Sequence, residues 1–290
     1  MPSDMDSWAR PVRDYKDIPE IFRSYYDKNL GKSVGFLNAV YAPADSWGKR
    51  KTNEKLLILF ETDIVFLENV KNNITSVFYP IQNINYIENG SILLYSWIKI
   101  NGEVNGETKS SLVEYNTVVE SIFKPIINKL RILLCDIDIS EISEETCVFD
   151  CLIDIDYKFM NYAKNAILNG EKVIDFIYQR EIKVPYLKLF TRIKSTSHMA
   201  ILTNKELIIL KEENAKSTKD ARYGGIWIYI PVHKILSAYI EKDEIGFLNL
   251  VINISGFNTF KSVFEISIRE RVEQLVEKIN RIARFNSMIK

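Results

Sequence analysis

The chain has 290 residues, 47% of them apolar and 26% charged, the balance of an ordinary globular protein rather than a disordered or fibrous one. Its formal charge of zero hides an uneven spread: residues 1–134 carry 16 bases and 16 acids, residues 135–156 eight acids and no base, and residues 157–290 carry 22 bases and 14 acids. No stretch approaches the roughly 18 uninterrupted apolar residues of a membrane-spanning helix, the first residues lack the basic and apolar regions of a secretory signal, and Cys135, Cys147 and Cys151 read as reduced thiols. These features predict a cytoplasmic protein, and the length predicts two domains.

In chain order, residues 18–29 read as a short lead-in helix, with Gly31 placed to end it. Residues 58–67 read as a hairpin turning at Glu61-Thr62-Asp63 between β-branched and aromatic flanks. Residues 76–86 continue the sheet, and Asn89-Gly90 and Asn101-Gly102 read as tight turns around a strand over 92–100. Thr117 and Glu120 stand at capping-box spacing. The helix behind them carries an apolar stripe of Phe123, Ile126, Ile127, Leu130 and Leu133, with Pro125 tolerable in its first turns. After the acidic stretch 135–156 the plan returns. A helix over 158–168 is followed by Gly170, a hairpin over 199–210 turns at Thr203-Asn204-Lys205, and the sheet continues over 226–240. A last helix has Ser267 and Glu270 as its capping box and Val272, Leu275, Val276, Ile279 and Ile282 on one face.

The return is a sequence repeat. Phe78-Tyr79-Pro80-Ile81 comes back as Tyr229-Ile230-Pro231-Val232, and the offset of 151 places holds without a gap until Ser111-Leu112-Val113-Glu114 comes back as Ser262-Val263-Phe264-Glu265. Upstream, Ile58-Leu59 with Asp63-Ile64-Val65-Phe66-Leu67 comes back as Ile201-Leu202 with Glu206-Leu207-Ile208-Ile209-Leu210. Leu30-Gly31-Lys32-Ser33-Val34 lines up with Asn169-Gly170-Glu171-Lys172-Val173. A repeat of this length is too long for a solenoid unit and fits a duplicated domain. The expected division is a domain over 1–134, an acidic connector over 135–156 and a domain over 157–290. Strands ending in one amphipathic helix predict an α+β fold, a bent antiparallel barrel or sandwich whose open end the helix covers.

Leu168-Asn169-Gly170-Glu171-Lys172-Val173-Ile174 is similar to the opening Gly-Glu-Lys-Val strand of pleckstrin-homology-like (PH-like) proteins of the bacterial PH and GRAM-like branch. Ala200-Ile201-Leu202-Thr203-Asn204-Lys205-Glu206-Leu207-Ile208-Ile209 resembles that branch's Leu-Thr-Asn-basic-x-Leu hairpin, and Tyr229-Ile230-Pro231-Val232-His233-Lys234-Ile235 its Ile-Pro-x-x-x-Ile strand. The first copy departs from the pattern, with Lys32 for the Glu and Glu61-Thr62-Asp63 for Thr-Asn-Lys. The resemblance covers almost all of both repeats and implies two tandem PH-like domains in a bacterial protein. It carries no activity by itself.

The chemistry-bearing residues are sparse. His198 and His233 lie in no metal or nucleophile motif, so neither catalysis nor a cofactor is expected. Asp136-x-Asp138 and Asp154-x-Asp156 have the look of cation ligands but lack the Gly-containing loop that wraps an ion, and read as a solvated linker. Cys147 and Cys151 offer half a zinc site, and inert thiols are the default. The candidates for binding an anion or a lipid headgroup are Lys49, Arg50 and Lys51 in the first copy and Lys188, Arg192 and Lys194, with Lys183 nearby, in the second. Lys188, Arg192 and Lys194 fall on one side of an alternating strand, opposite Leu187, Leu189 and Ile193. Lysines at that spacing equally mark a solvated edge strand. Nucleic acid is not an expected partner, because no aromatic ladder or recognition helix accompanies the bases and the eight connector acids would repel it. The expected role is a non-catalytic binding or scaffold protein with a protein partner, using a strand edge or the basic loops. The alternative is peripheral binding of an anionic membrane lipid or phosphate-bearing ligand by the second domain.

Overall fold

The computed structural model describes residues 8–31, 35–47, 50–140, 145–186, 190–212 and 224–288. The fold is α+β with antiparallel strand pairing, and the chain forms two compact units, Met1–Leu134 and Cys135–Lys290. Among the described residues no sheet closes into a barrel.

In the first unit, β1 (Arg10–Pro11) and α1 (Glu20–Asn29) precede β2 (Asn38–Ala42), a small ribbon of β3 (Ser46–Trp47) and β4 (Arg50–Lys51), then β5 (Lys55–Leu59), β6 (Asp63–Val70) and β7 (Asn73–Pro80). The sheet order is β1-β2-β5-β6-β7. Leu56 to Leu59 and Ile64 to Leu67 are continuous apolar runs, the pattern of strands covered on both faces. One of those faces is visible: Ala39, Tyr41, Leu56, Ile58, Val65 and Leu67 pack against Phe22 and Tyr26 of α1. The expected strand over 76–86 is two strands. Pro80 cannot donate to the ladder, a single 3-10 turn (Ile81–Asn83) follows, and β8 (Ile84–Ile92) starts a second set of neighbours with β9 (Tyr95–Val104) and β10 (Glu107–Asn116). The helix α2 (Glu120–Cys135) closes the unit, burying Phe123, Ile126, Ile127 and Leu130, with Leu134 buried in place of the expected Leu133, and Phe123 stacks on Tyr115 of β10 at 3.8 Å.

Asn89-Gly90 and Asn101-Gly102 are not turns; they lie inside β8 and β9. Gly90 faces Trp97 across the ladder, where an added Cβ would stand 2.1 Å from the indole, so the glycine makes room for a ring. Gly102 sits at the bulge opposite Ile84, and Asn101 donates to Ser110 Oγ and accepts from Asn85. The real turns are Leu93-Leu94 and Asn105-Gly106.

The second unit repeats the succession. The 3-10 run Glu145–Leu152 and α3 (Tyr157–Ala166) lead into β11 (Val173–Gln179), the ribbon β12 (Ile182–Tyr186) and β13 (Phe190–Ser195), then β14 (His198–Thr203), β15 (Glu206–Lys211) and β16 (Gly224–Pro231). The expected strand over 226–240 again breaks at a proline and a 3-10 turn, Val232–Lys234, which holds His233. The chain continues through β17 (Ile235–Lys242), β18 (Leu248–Ile254), β19 (Asn258–Phe264) and α4 (Arg269–Met288). The acidic stretch joins this unit's packing: Phe149 is wholly buried against Phe176, and Asp156 caps α3 by accepting from the Phe159 amide and the Tyr178 hydroxyl. On α4, Val272, Leu275 and Ile279 are buried and Ala283 continues the stripe in place of Ile282.

Three further details depart from the sequence reading. The offset of 151 is not ungapped. Ile98 and Ile100 of β9 take the core places of Leu250 and Ile252 in β18, one residue further on than the sequence alignment, because the two hairpins differ in loop length. Neither capping box forms. Asn116 accepts from the Val118 amide, Thr117 Oγ1 bonds Ser96, and Ser267 meets Glu265. Gly170 ends no helix: α3 stops at Ala166, and Gly170, at φ 86°, turns the chain between Leu168 and Glu171.

Candidate functional site

The hairpin turn at the end of the first long strand pair is built alike in both units. Leu59 pairs Ile64 as Leu202 pairs Leu207, so Phe60, Glu61, Thr62 and Asp63 occupy the places of Thr203, Asn204, Lys205 and Glu206. The backbone bond across the turn is kept. The Ile81 amide donates to the Thr62 carbonyl (2.8 Å), and the Val232 amide to the Lys205 carbonyl (3.0 Å).

In the second unit the side chains tie this turn shut. Glu171, Thr203 and Glu206 are wholly buried. The Thr203 hydroxyl donates to Glu171 Oε1 (2.9 Å) and accepts from the Glu206 amide (2.9 Å), while Glu171 Oε2 accepts from the Leu168 amide (2.8 Å). Asn204 exchanges two bonds with the backbone of Lys172. The Cys135 thiol donates to Glu206 Oε1 at 3.4 Å. Buried carboxyl groups need such partners, because each lost bond would leave a polar oxygen without water. The residues that carry the PH-like resemblance therefore act here as a structural clasp, and β11 extends far enough for Val173 to pair with Thr203.

In the first unit pairing begins later, at Asn38 with Leu59, and Phe60 stands where Thr203 would be. A cleft of about 620 Å3 lies there. Leu30, Phe36, Leu37, Phe60, Val65 and Phe78 make its apolar walls. Glu61, Thr62 and Asp63 supply its polar side, and the Thr62 hydroxyl donates to Asp63 Oδ2 at 2.6 Å. Leu37 is 43% exposed although apolar. Volume and lining suit a ligand site, with apolar walls and a few polar groups. The sequence comparison set Glu61-Thr62-Asp63 against Thr203-Asn204-Lys205, one residue out of the strand register, which puts Phe60-Glu61-Thr62 in those places, and Phe36, Leu37 and Phe78 carried no mark of a site.

Of the expected basic candidates, Lys51, Lys183, Arg192 and Lys194 are placed on the small ribbons β3–β4 and β12–β13. Lys49 and Lys188 lie outside the described residues, and of Arg50 only the backbone, in β4, is described. Lys51 is exposed on β4 and Arg192 is exposed on β13. Lys194 is paired with Asp243 at 3.0 Å, a contact that holds the Asp243 carboxyl below the usual range, and Lys183 with Glu181 at 2.8 Å. Phe190 and Ile193 on the same ribbon are also exposed.

His198 begins β14, packs edge-on against Phe264 at 4.9 Å and donates from Nδ1 to the Thr196 carbonyl (2.8 Å). Burial pushes its imidazole down, favouring the neutral ring. Cys147 and Cys151 are exposed thiols, and among the described residues no group of three or more His, Cys, Asp or Glu is placed to hold a metal. Among the same residues no helix is long and apolar enough to cross a membrane. No protein-family model matches the chain, and no curated protein matches it.

Proposed function

We propose that the chain is a non-catalytic, protein-binding scaffold of two tandem PH-like domains, and that its first unit presents the binding site. The strand succession supports the PH-like reading. Setting aside β1 and the small ribbons, each unit runs four strands, a proline-marked 3-10 turn, three strands and a closing helix. The observation that carries the binding role is the first unit's cleft, at the place where the second unit has its buried clasp. The second unit also closes one route by which a partner could add a strand. On the edge strand β17, Asn280 of α4 accepts from the Ala238 amide (2.9 Å) and donates to its carbonyl (2.7 Å), as a neighbouring strand would.

Affinity capture with the full chain tests this, comparing the native sequence with Leu37→Glu over a salt series. The expected partners stay bound at moderate salt and are released by Leu37→Glu. Partners indifferent to Leu37, together with salt-sensitive sedimentation on anionic vesicles that Arg192→Gln with Lys194→Gln abolishes, would replace this reading with lipid binding through the ribbon.

A further inference from the structure

The ligand of the cleft can be narrowed by its lining. We propose that the cleft takes a peptide segment in which a Lys or Arg stands beside a large apolar side chain, an inference that rests on the binding role above. The walls ask for an apolar group: Phe36, Phe60 and Phe78, partly buried against the core that holds Val65, line the cleft together with the exposed Leu37. Filling this surface removes apolar area from water on both partners. The polar side asks for a cation. Glu61 and Asp63 both line the cleft, and among the described residues no Lys, Arg or His lines it. Two carboxylates beside a low-dielectric wall attract a cation more strongly than the same pair would in open water, and repel an acidic partner. The cleft is open to solvent rather than enclosed, so a peptide can lay an apolar side chain into it while its backbone stays hydrated. A neighbouring Lys or Arg can lay its aliphatic stem on the wall and turn its charged head to Glu61 and Asp63. The corresponding turn of the second unit holds Asn204 and Lys205 in place of Glu61 and Thr62, and its buried Thr203–Glu171 bond fills the position of Phe60. The proposed specificity therefore belongs to the first unit alone.

The test is a random hexapeptide library displayed on phage, panned on immobilised full-length chain and counter-selected on full-length Leu37→Glu. Leu37 and Glu61 are exposed, so their replacement leaves the fold intact, and an unchanged melting temperature checks this. Selected peptides are then measured by fluorescence polarisation against the native chain and the Glu61→Gln, Asp63→Asn double variant. The expected consensus places Lys or Arg next to Leu, Ile, Phe or Trp, and the double variant weakens binding about tenfold or more, the scale of losing charge-assisted bonds. Peptides removed by the Leu37→Glu counter-selection but lacking a base, or indifferent to the double variant, would overturn the ligand class while leaving the cleft as a binding site. A selection yielding no peptide that distinguishes the native chain from Leu37→Glu would overturn both.

Discussion

The same hairpin turn is shut in one unit and open in the other. Both units keep the strand pairing around it and the backbone bond that leads into the next strand. They differ in side chains. Thr203 is small enough to sit at the base of its turn and polar enough to bond Glu171 and the Glu206 amide, whereas Phe60 can do neither. A hairpin's backbone is thus robust to the loss of its side-chain clasp, and where the clasp is missing a cleft is left at the surface. On the proposed function, stability and binding are divided between the two units.

The largest expected effect comes from breaking the clasp. Glu171→Ala removes the acceptor of the part-buried Leu168 amide and leaves the Thr203 hydroxyl only the Glu206 carbonyl, which costs about 1–3 kcal/mol. Hydrogen exchange read by mass spectrometry should show protection falling over residues 168–211 while residues 55–70 keep theirs. An equal fall in both would mean that the clasp is not what sets the second unit apart.

A smaller effect is expected at the strand edge. Asn280→Ala removes both bonds to Ala238 and should cost about 1–2 kcal/mol in urea unfolding. It also uncovers the backbone of β17, so concentration-dependent self-association by analytical ultracentrifugation should appear in the variant only. A variant that stays monomeric would show that Asn280 serves stability and not edge protection.

The subtlest comparison concerns acid. Asp175 of β11 pairs with Leu202, and Asn38 holds the corresponding place beside Leu59 in the first unit. Burial pushes the Asp175 carboxyl up, but hydrogen bonds from Lys278 (2.6 Å) and Arg271 (2.8 Å) outweigh it, and the group ends below its ordinary value. A carboxyl depressed in the folded state stabilises above its unfolded pKa of about 4, and that contribution is lost as pH falls through the folded value. The second unit should therefore lose hydrogen-exchange protection below about pH 4, and Asp175→Asn should flatten that dependence. The first unit, with a neutral Asn38, has no such contribution at this position. A pH profile unchanged by Asp175→Asn would place the acid sensitivity elsewhere.

Local patterns proved legible where one cause dominates. The apolar runs at Leu56 to Leu59 and Leu207 to Leu210 became strands, and the stripes from Phe123 and Val272 became the buried faces of α2 and α4. Turn chemistry misled where a neighbour competes. Asn-Gly is a turn signal in isolation, but at Asn89-Gly90 the Trp97 ring needs the space that only glycine leaves, and at Asn101-Gly102 the side-chain bonds to Asn85 and Ser110 hold the pair inside a strand. The ungapped offset misled for a related reason. A one-residue slip in a strand exchanges its two faces, and the core places of Ile98 and Leu250 record that slip where residue-type similarity did not.

By itself, the sequence determined that the chain is α+β, that one plan recurs in it, and where the closing helices run, because periodicity and repetition are properties of neighbours along the chain. Tertiary structure alone decided that Glu171 and Thr203, 32 positions apart, form a buried bond, and that Phe36, Phe60 and Phe78, packed against the first unit's core, also line a cleft. Such meetings depend on strand register and on where pairing starts. Both are fixed by packing across the sheet, and no local run of residues encodes them.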